Sequence, residues 1–245
     1  MPSTNIPKHI AAIPDGNRRW AKEHSLLPWK GHQEGLLRFE EVNRHAFDRG
    51  VQYFTFWAAS EDNLTKRTRI EVAVLKRLMR HQLKKELKEG ELVKKKIRFR
   101  LIGRWHEILK DAEIKKLANE LEKATEKFTD KQLTILFGYD GRREMLEAVR
   151  TITKEEVSRL PTGQAGLRGN DAYEVIKNHL WTKDLPPVDL VIRTGGEPHW
   201  SAGFMMWLTA DSQFYFTPKF WPDFNNAALD KAIADYSERE RRFGK

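Results

Sequence analysis

The sequence predicts an α/β fold: a single domain with a central, mostly parallel six-stranded sheet flanked by helices. Six short runs are nearly continuous in apolar or β-branched residues, as strands covered on both faces must be. Segments with apolar residues at helical spacing lie between them, so strand and helix alternate along the chain. The 245 residues, 40% hydrophobic, are enough to bury one such core. No repeat, low-complexity tract or convincing linker divides them, so the predicted domain spans 1–245.

The first strand is His9–Pro14, which runs into the turn pair Asp15-Gly16. Arg18 and Arg19 then open a helix. Leu36–Phe47 carries apolar residues at 36, 37, 39, 42, 46 and 47, a helical spacing. Tyr53–Ala59 is the second strand. Ile70–Leu87 repeats the helical pattern at 70, 72, 74, 75, 78, 79, 83 and 87. Strand Ile97–Gly103, helix Ala112–Phe128, strand Lys131–Tyr139 and helix Arg142–Val157 come next. Pro161–Gly169, with three glycines and a proline, reads as a surface loop. Strands Asp189–Thr194 and Gln213–Thr217 precede a last helix from about Ala227 to Arg241. Right-handed crossovers between parallel strands place helices on both faces.

Charged residues make up 32% of the chain, and 44 Lys and Arg against 35 Asp and Glu give a net charge of +9. That excess favours anionic partners: nucleic acid, acidic lipid head groups or phosphorylated metabolites. The basic stretch Lys84–Arg100 reads first as a solvated helix face followed by a strand edge. The absence of Cys excludes disulfides and thiolate chemistry and suits a reducing compartment. No apolar leader region opens the sequence, and no run approaches the roughly 18–20 apolar residues of a membrane span. A cytoplasmic protein is expected, with membrane contact at most peripheral.

In an open α/β sheet, ligands bind beyond the carboxyl ends of the strands. The first strand is followed by Asp15-Gly16-Asn17-Arg18-Arg19-Trp20, the second by Ser60-Glu61-Asp62-Asn63-Leu64-Thr65-Lys66-Arg67. The fifth runs into Arg193-Thr194-Gly195-Gly196-Glu197, with His199 and Ser201 close behind. A parallel sheet delivers all three clusters of acids, amides, hydroxyls and cations to one edge. Such a site suits a phosphorylated ligand with a divalent cation. Each piece also has a plain structural reading. Asp15 can cap the helix, Ser60 can be an N-cap with Asp62 and Asn63 serving a turn, and His32 can be a core histidine. Arg18 and Arg19 can be surface cations. No strand leads into a P-loop pattern or a dinucleotide fingerprint, which disfavours an NTPase or a nicotinamide enzyme.

Together these residues resemble a family. The segments His9–Lys22, Gly31–Gly35, Trp57–Asn63, Asp189–Glu197, Phe214–Thr217, Trp221–Phe224 and Glu238–Gly244 are similar, in order, to the cis-prenyltransferases of the undecaprenyl diphosphate synthase type. The resemblance implies a homodimer whose parallel sheet carries an elongated apolar tunnel. It also implies a reaction: isopentenyl diphosphate adds to an allylic prenyl diphosphate, diphosphate leaves, and a new cis double bond forms. By the same resemblance Asp15 is the Mg²⁺ ligand, because a hard cation prefers carboxylate oxygen. Gly16, Asn17, Arg18, Arg19 and His32 then contact diphosphate, and Trp20 covers the isoprenoid. Arg193, His199, Trp200 and Ser201 match the positions that hold the isopentenyl donor. Asn63, with Ser60, matches the place of proton removal, although an amide is a poor base and suits orienting substrate better. Glu61, Asp62, Leu64 and Lys66 complete that second motif.

The chain also departs from the family. Arg18 replaces a glycine, Pro28 an arginine for which Lys30 is a candidate substitute, Asp62 a glutamate, Leu64 a tryptophan and Lys66 an arginine. His199 stands where an arginine is usual, and Gly203 is a one-residue insertion. Gln213 aligns with the second metal-binding glutamate and offers oxygen but no charge. Glu197 and Asp211 are alternative carboxylates. Small Ala58 and Ala59 predict room for a medium or long product between Leu36–Phe47 and Ile70–Leu87. The competing readings are a non-catalytic prenyltransferase-like subunit and a basic nucleic-acid-binding protein, which the placement of aromatics in motifs or core disfavours.

Overall fold

Strand β1 (His9–Ile13) is buried at all five residues. Ile10 and Ala12 enter one apolar cluster, Ala11 and Ile13 another. A strand sends alternate side chains to opposite faces, so β1 feeds a core on each side of the sheet. This is why its sequence is apolar without interruption. The computed structural model describes residues 5–153 and 169–239.

After β1 come α1 (Asn17–Glu23), α2 (Pro28–Asp48), β2 (Tyr53–Ser60), α3 (Glu61–Thr65) and α4 (Arg69–Glu89). Short α5 (Glu91–Lys94) leads to β3 (Ile97–Ile102), then α6 (Trp105–Leu109), α7 (Ala112–Thr125), β4 (Lys131–Tyr139) and α8 (Gly141–Thr151). The described chain resumes with α9 (Gly169–His179), β5 (Leu190–Arg193), β6 (Gln213–Phe216), a 3₁₀ turn (Trp221–Asp223) and α10 (Asn226–Glu238). All six strands are parallel, in the order β3-β4-β2-β1-β5-β6. Every strand falls where the apolar runs place it, with ends differing by a residue or so. Pro28 starts α2 earlier than its apolar stripe suggests, because proline suits the first helical turn. The predicted loop 161–169 and the ends of the helices predicted to reach 157 and 241 lie largely outside the described residues.

One face of the sheet is covered by Phe39 and Val42 of α2, Leu75 and Leu83 of α4, and Ile114 and Leu121 of α7, with Leu229 and Ile233 of α10. The other is covered by Leu185, Val188, Phe204, Met205 and Leu208 from the segments around β5. A buried carboxylate pins this second face: Glu144 accepts from the Tyr139 hydroxyl and from the Thr182 N–H and hydroxyl, the latter two at 2.9 and 2.8 Å. The basic stretch is laced by ion pairs. Lys84 meets Glu113 at 2.6 Å, Lys85 meets Glu40 at 2.7 Å, and Lys95 meets Asp48 at 3.0 Å. These neighbours account for the segment as a solvated face.

β1 and β5 are tied at their start by polar bonds. Asp189 accepts from the backbone N–H of Lys8 and of His9 at 2.8 and 3.0 Å. The His9 ring is fully buried between the Pro186 carbonyl and the Thr55 hydroxyl, each 2.9 Å away. A carbonyl only accepts, so Nδ1 carries the proton and Nε2 accepts from Thr55. Burial pulls this ring down from 6.5 to about 4. A depressed folded pKa gives stability that is complete above pH 6.5 and is lost as pH falls toward 4. The full loss is roughly 3 kcal/mol. Urea unfolding from pH 7 to pH 4 is therefore expected to lose stability less steeply in His9→Gln than in the wild type. Equal slopes would contradict the assignment.

Candidate active site

The chain order around β1 makes a crevice. From β1 it passes to β2 on one side, while β5 and β6 lie on the other. Such a reversal of strand order is where open α/β sheets bind ligands. Asp15 follows β1, Ser60 to Asn63 span the end of β2, and Arg193 ends β5, so three of the predicted clusters meet at this edge.

Asp15 is not a helix cap. Gly16 occupies the N-cap of α1, with no side-chain cap, at a φ of 97° that favours glycine. The Asp15 carboxylate instead accepts from Gly16 N–H at 2.6 Å and lies 3.2 Å from the Arg193 guanidinium and 3.4 Å from that of Arg19. Arg19 also meets Glu197 at 3.2 Å. Arg193 is 5% exposed; it donates to the His199 carbonyl at 2.6 Å, and its Nε has no protein acceptor. The Thr194 hydroxyl and Trp221 N–H both donate to the Asp15 carbonyl, at 2.8 and 3.0 Å, which fixes the turn. Asn17 donates to the Pro14 carbonyl at 2.9 Å. A Cβ on Gly31 would lie 1.9 Å from the Asn17 carbonyl oxygen, so glycine there lets α2 touch the turn.

Ser60 does cap a helix: it and Asn63 form a reciprocal capping box at the start of α3. The Asn63 Oδ1 accepts from Ser60 N–H at 3.3 Å, so the amide presents its NH₂ to other partners. Both residues also line the polar pocket. His32 sits at its edge, with Nε2 3.4 Å from Arg67. Burial first, then the charges of Arg67 and Arg18, pull its ring from 6.5 down to about 4. The free protein therefore presents a neutral imidazole whose Nδ1–H is the donor.

These residues border two neighbouring spaces. The polar pocket, about 1210 Å³ including open solvent, is lined by four guanidinium groups (Arg18, Arg19, Arg67, Arg193) and two carboxylates (Asp15, Glu197), with Asn17, Ser60, Asn63 and Ser201. The excess of positive charge suits a polyanion. The second, about 940 Å³ with its open part, lies between α2, α4 and the sheet, against Leu36, Phe39, Leu75 and Phe137 among others. Pro14, Asn17, His32 and Ala58 line both. A bulge in β2 shifts register between Trp57, Ala59 and Ser60, which takes Ala58 out of the ladder. Ala59 is buried in the core and does not line the cavity.

The structure does not bring every predicted residue to this pocket. Glu61 is held by Arg104 at 3.0 Å, and Asp62 pairs with Lys66 at 2.9 Å on the surface. Leu64 is buried in the core. Trp20 stacks on His24 and donates to Asp223 at 2.8 Å, away from both spaces. The His199 and Trp200 side chains are exposed at 58% and 44%; only the His199 carbonyl serves the site, by holding Arg193. Lys30 is exposed and outside the pocket. Gln213 pairs with Leu190 at the amino end of β5, on the sheet edge opposite Arg193, so it does not meet Asp15 within this chain. Asp211 lies outside the pocket too. Conversely, Arg67 and Glu197, which the motifs do not mark as substrate-binding residues, both line it. Arg67 is the cation two residues beyond the end of α3.

Among the described residues no group of three or more His, Asp or Glu is arranged for a metal. Two carboxylates lining this cationic pocket still fit Mg²⁺, which is commonly held by one or two carboxylates and completed by substrate phosphates and water.

Known proteins are similar to this chain in sequence and fold. Residues 13–244 match the sequence model of the family described as "Putative undecaprenyl diphosphate synthase". The isoprenyl transferase of Thermotoga maritima is 39% identical over 240 residues, covering 98% of this chain and 97% of that protein. A tritrans,polycis-undecaprenyl-diphosphate synthase (geranylgeranyl-diphosphate specific) of Methanopyrus kandleri is 34% identical, covering 98% and 85%. The crystal structure of lavandulyl diphosphate synthase from Lavandula x intermedia, in complex with dimethylallyl diphosphate, superimposes with a TM-score of 0.85 at 30% identity, covering 98% of this chain and 99% of that one. The chain belongs to the undecaprenyl diphosphate synthase family, the cis-prenyltransferases.

Proposed function

We propose that the protein condenses isopentenyl diphosphate repeatedly, in the cis configuration, onto an allylic prenyl diphosphate. The observation that carries this reading is the adjacency of the two spaces, which share Pro14, Asn17, His32 and Ala58 in their linings. A cationic pocket beside an apolar cavity suits a prenyl diphosphate: head in one, tail in the other.

The allylic C–O bond breaks and its electron pair leaves with diphosphate. The growing negative charge faces Arg18, Arg19 and Arg67, with His32 as a neutral donor. The Nε of Arg193, left without a protein acceptor, suits the diphosphate of the isopentenyl donor beside Ser201. The donor's double bond attacks the allylic carbon, and loss of a proton forms the new double bond. Asn63 orients substrate through its NH₂, because its oxygen is engaged with Ser60 and an amide is too weak a base. A diphosphate oxygen or water takes the proton. Mg²⁺ held by Asp15, with Glu197 beside it, would neutralise diphosphate charge when bound.

The apolar cavity is the counterpart of the family's tunnel and accommodates the growing tail. Edge strand β6, with exposed Phe216, and exposed Leu146 and Val149 on α8 support a homodimer. No described helix is long and apolar enough to cross a membrane, so contact with one is proposed as peripheral, from the cytoplasmic side.

The test is incubation with labelled isopentenyl diphosphate, Mg²⁺ and allylic diphosphates of two, three or four isoprene units. Chain growth is expected with at least one primer; none with any would overturn the proposal. Asp15→Asn keeps the side-chain shape but removes the charge, and is expected to lower kcat/KM by roughly 100-fold or more. Steady-state rates across a Mg²⁺ titration check this, and wild-type values would refute the metal role. Inorganic diphosphate is expected to raise the His32 pKa from about 4, since a nearby anion favours the charged ring. Ring-proton NMR titrations with and without diphosphate measure it; an unmoved value would remove His32 from the head-group site.

A further inference from the structure

We propose that Tyr139 and Glu144 are positioning residues for the isopentenyl donor: through the Met205 N–H they hold the turn that sets Ser201 in the polar pocket. This rests on the placing of the donor's diphosphate at Arg193 and Ser201 in the proposed reaction.

Ser201 lines the pocket from a turn, not from a strand or a helix. The chain after it bends tightly: Ala202, Gly203 and Met205 have φ of 46°, 61° and 46°. Residues with a Cβ adopt this left-handed backbone at a cost, so contacts from elsewhere must hold it. Within the turn, the Phe204 N–H donates to the Ser201 carbonyl and the Trp200 indole donates to the Phe204 carbonyl, both at 2.8 Å. Ser201 therefore goes where Phe204 and Met205 go.

Those two residues are fully buried on the second face of the sheet. Phe204 stacks on Trp57, with ring centroids 5.0 Å apart. The Met205 N–H donates to the Tyr139 hydroxyl at 3.2 Å, across 66 positions of sequence. The hydroxyl in turn donates its own proton to one Glu144 oxygen. The other Glu144 oxygen is fixed by the Thr182 N–H and hydroxyl. Close packing of α8 adds to this hold: a Cβ on Gly141 would lie 1.8 Å from the Gly203 carbonyl oxygen. The Ser201 turn thus rests on the end of β4 and the start of α8, although neither Tyr139 nor Glu144 lines the pocket.

Removing the Tyr139 hydroxyl leaves a buried N–H without its acceptor. The turn gains freedom, and the donor's diphosphate meets a hydroxyl that is no longer held in place. The allylic head group faces the turn after β1 and does not depend on this support.

The test is Tyr139→Phe, compared with Thr182→Val. Thr182→Val also deletes a hydroxyl bonded to Glu144, but it leaves the Tyr139–Met205 contact intact. Tyr139→Phe is expected to raise KM for isopentenyl diphosphate roughly 10-fold, with kcat and the allylic KM within about 2-fold of wild type. Thr182→Val is expected to lower Tm and to keep the wild-type KM. An unmoved isopentenyl KM in Tyr139→Phe would overturn the proposal. So would an equal rise in both variants, which would make the network structural only. Glu144→Gln reaches the same hydroxyl from its other side and is expected to raise the same KM; it decides the question if Tyr139→Phe does not fold. A second readout needs no turnover: calorimetric titration of isopentenyl diphosphate into protein saturated with an unreactive alkyl diphosphate. Weaker isopentenyl binding is expected in Tyr139→Phe, and equal affinities would overturn the proposal. Failure of the wild type to extend any primer would refute the transfer reading alone, because this titration still reports on what Tyr139 holds.

Discussion

The contact on which the site depends is that of Arg193 with Asp15 across β1 and β5. A guanidinium almost removed from water needs a counter-charge, and losing one partner of such a pair is costly. The Asp15 carboxylate supplies it at 3.2 Å, from the turn after the neighbouring strand. The same arginine holds the His199 carbonyl, and Thr194 next to it holds the Asp15 carbonyl. One buried cation thus orders the segments after β1 and β5 before any ligand arrives. Preorganised charge of this kind is the main means by which a protein stabilises a leaving anion.

The strands are legible in the sequence because both their faces are covered: an uninterrupted apolar run has few other uses in a chain of this charge. The Asp15 and Arg193 clusters are legible because each sits directly at the carboxyl end of such a run. The second cluster is less so. Glu61, Asp62 and Lys66 have the residue types of a phosphate site, but their charges are spent on Arg104 and on each other. Arg67, the last residue of the polar cluster read after β2, does line the pocket, two residues beyond the end of α3. The bulge that takes Ala58 out of the ladder is invisible in an apolar run. Gln213 is different. As the first residue of a parallel strand it belongs to the amino edge, and the predicted strand boundaries already imply that position.

The cavity and the core are built from the same side chains. Phe39, Leu75, Leu83, Phe99 and Ile135 belong to the principal apolar cluster and also border the open space. Their spacing on α2 and α4 is that of ordinary packed helices, so sequence alone does not separate wall from core. Space left beside a core forfeits dispersion contacts and apolar burial. The fold tolerates this where two long helices and the buried central strands supply ample contact elsewhere.

Asp15 and Arg193 stand 178 positions apart in the sequence. Their adjacency comes from β1 pairing with β5, which closes only after β2, β3 and β4 have been laid down on the other side of β1. Contacts of such separation form late, because the loop they close must first be ordered. During synthesis the growing polypeptide carries the Asp15 turn for most of its emergence without Arg193, its partner. A copy truncated before the fifth strand lacks the Asp15–Arg193 pair. The charge pair is complete only where the fifth strand lies beside the first.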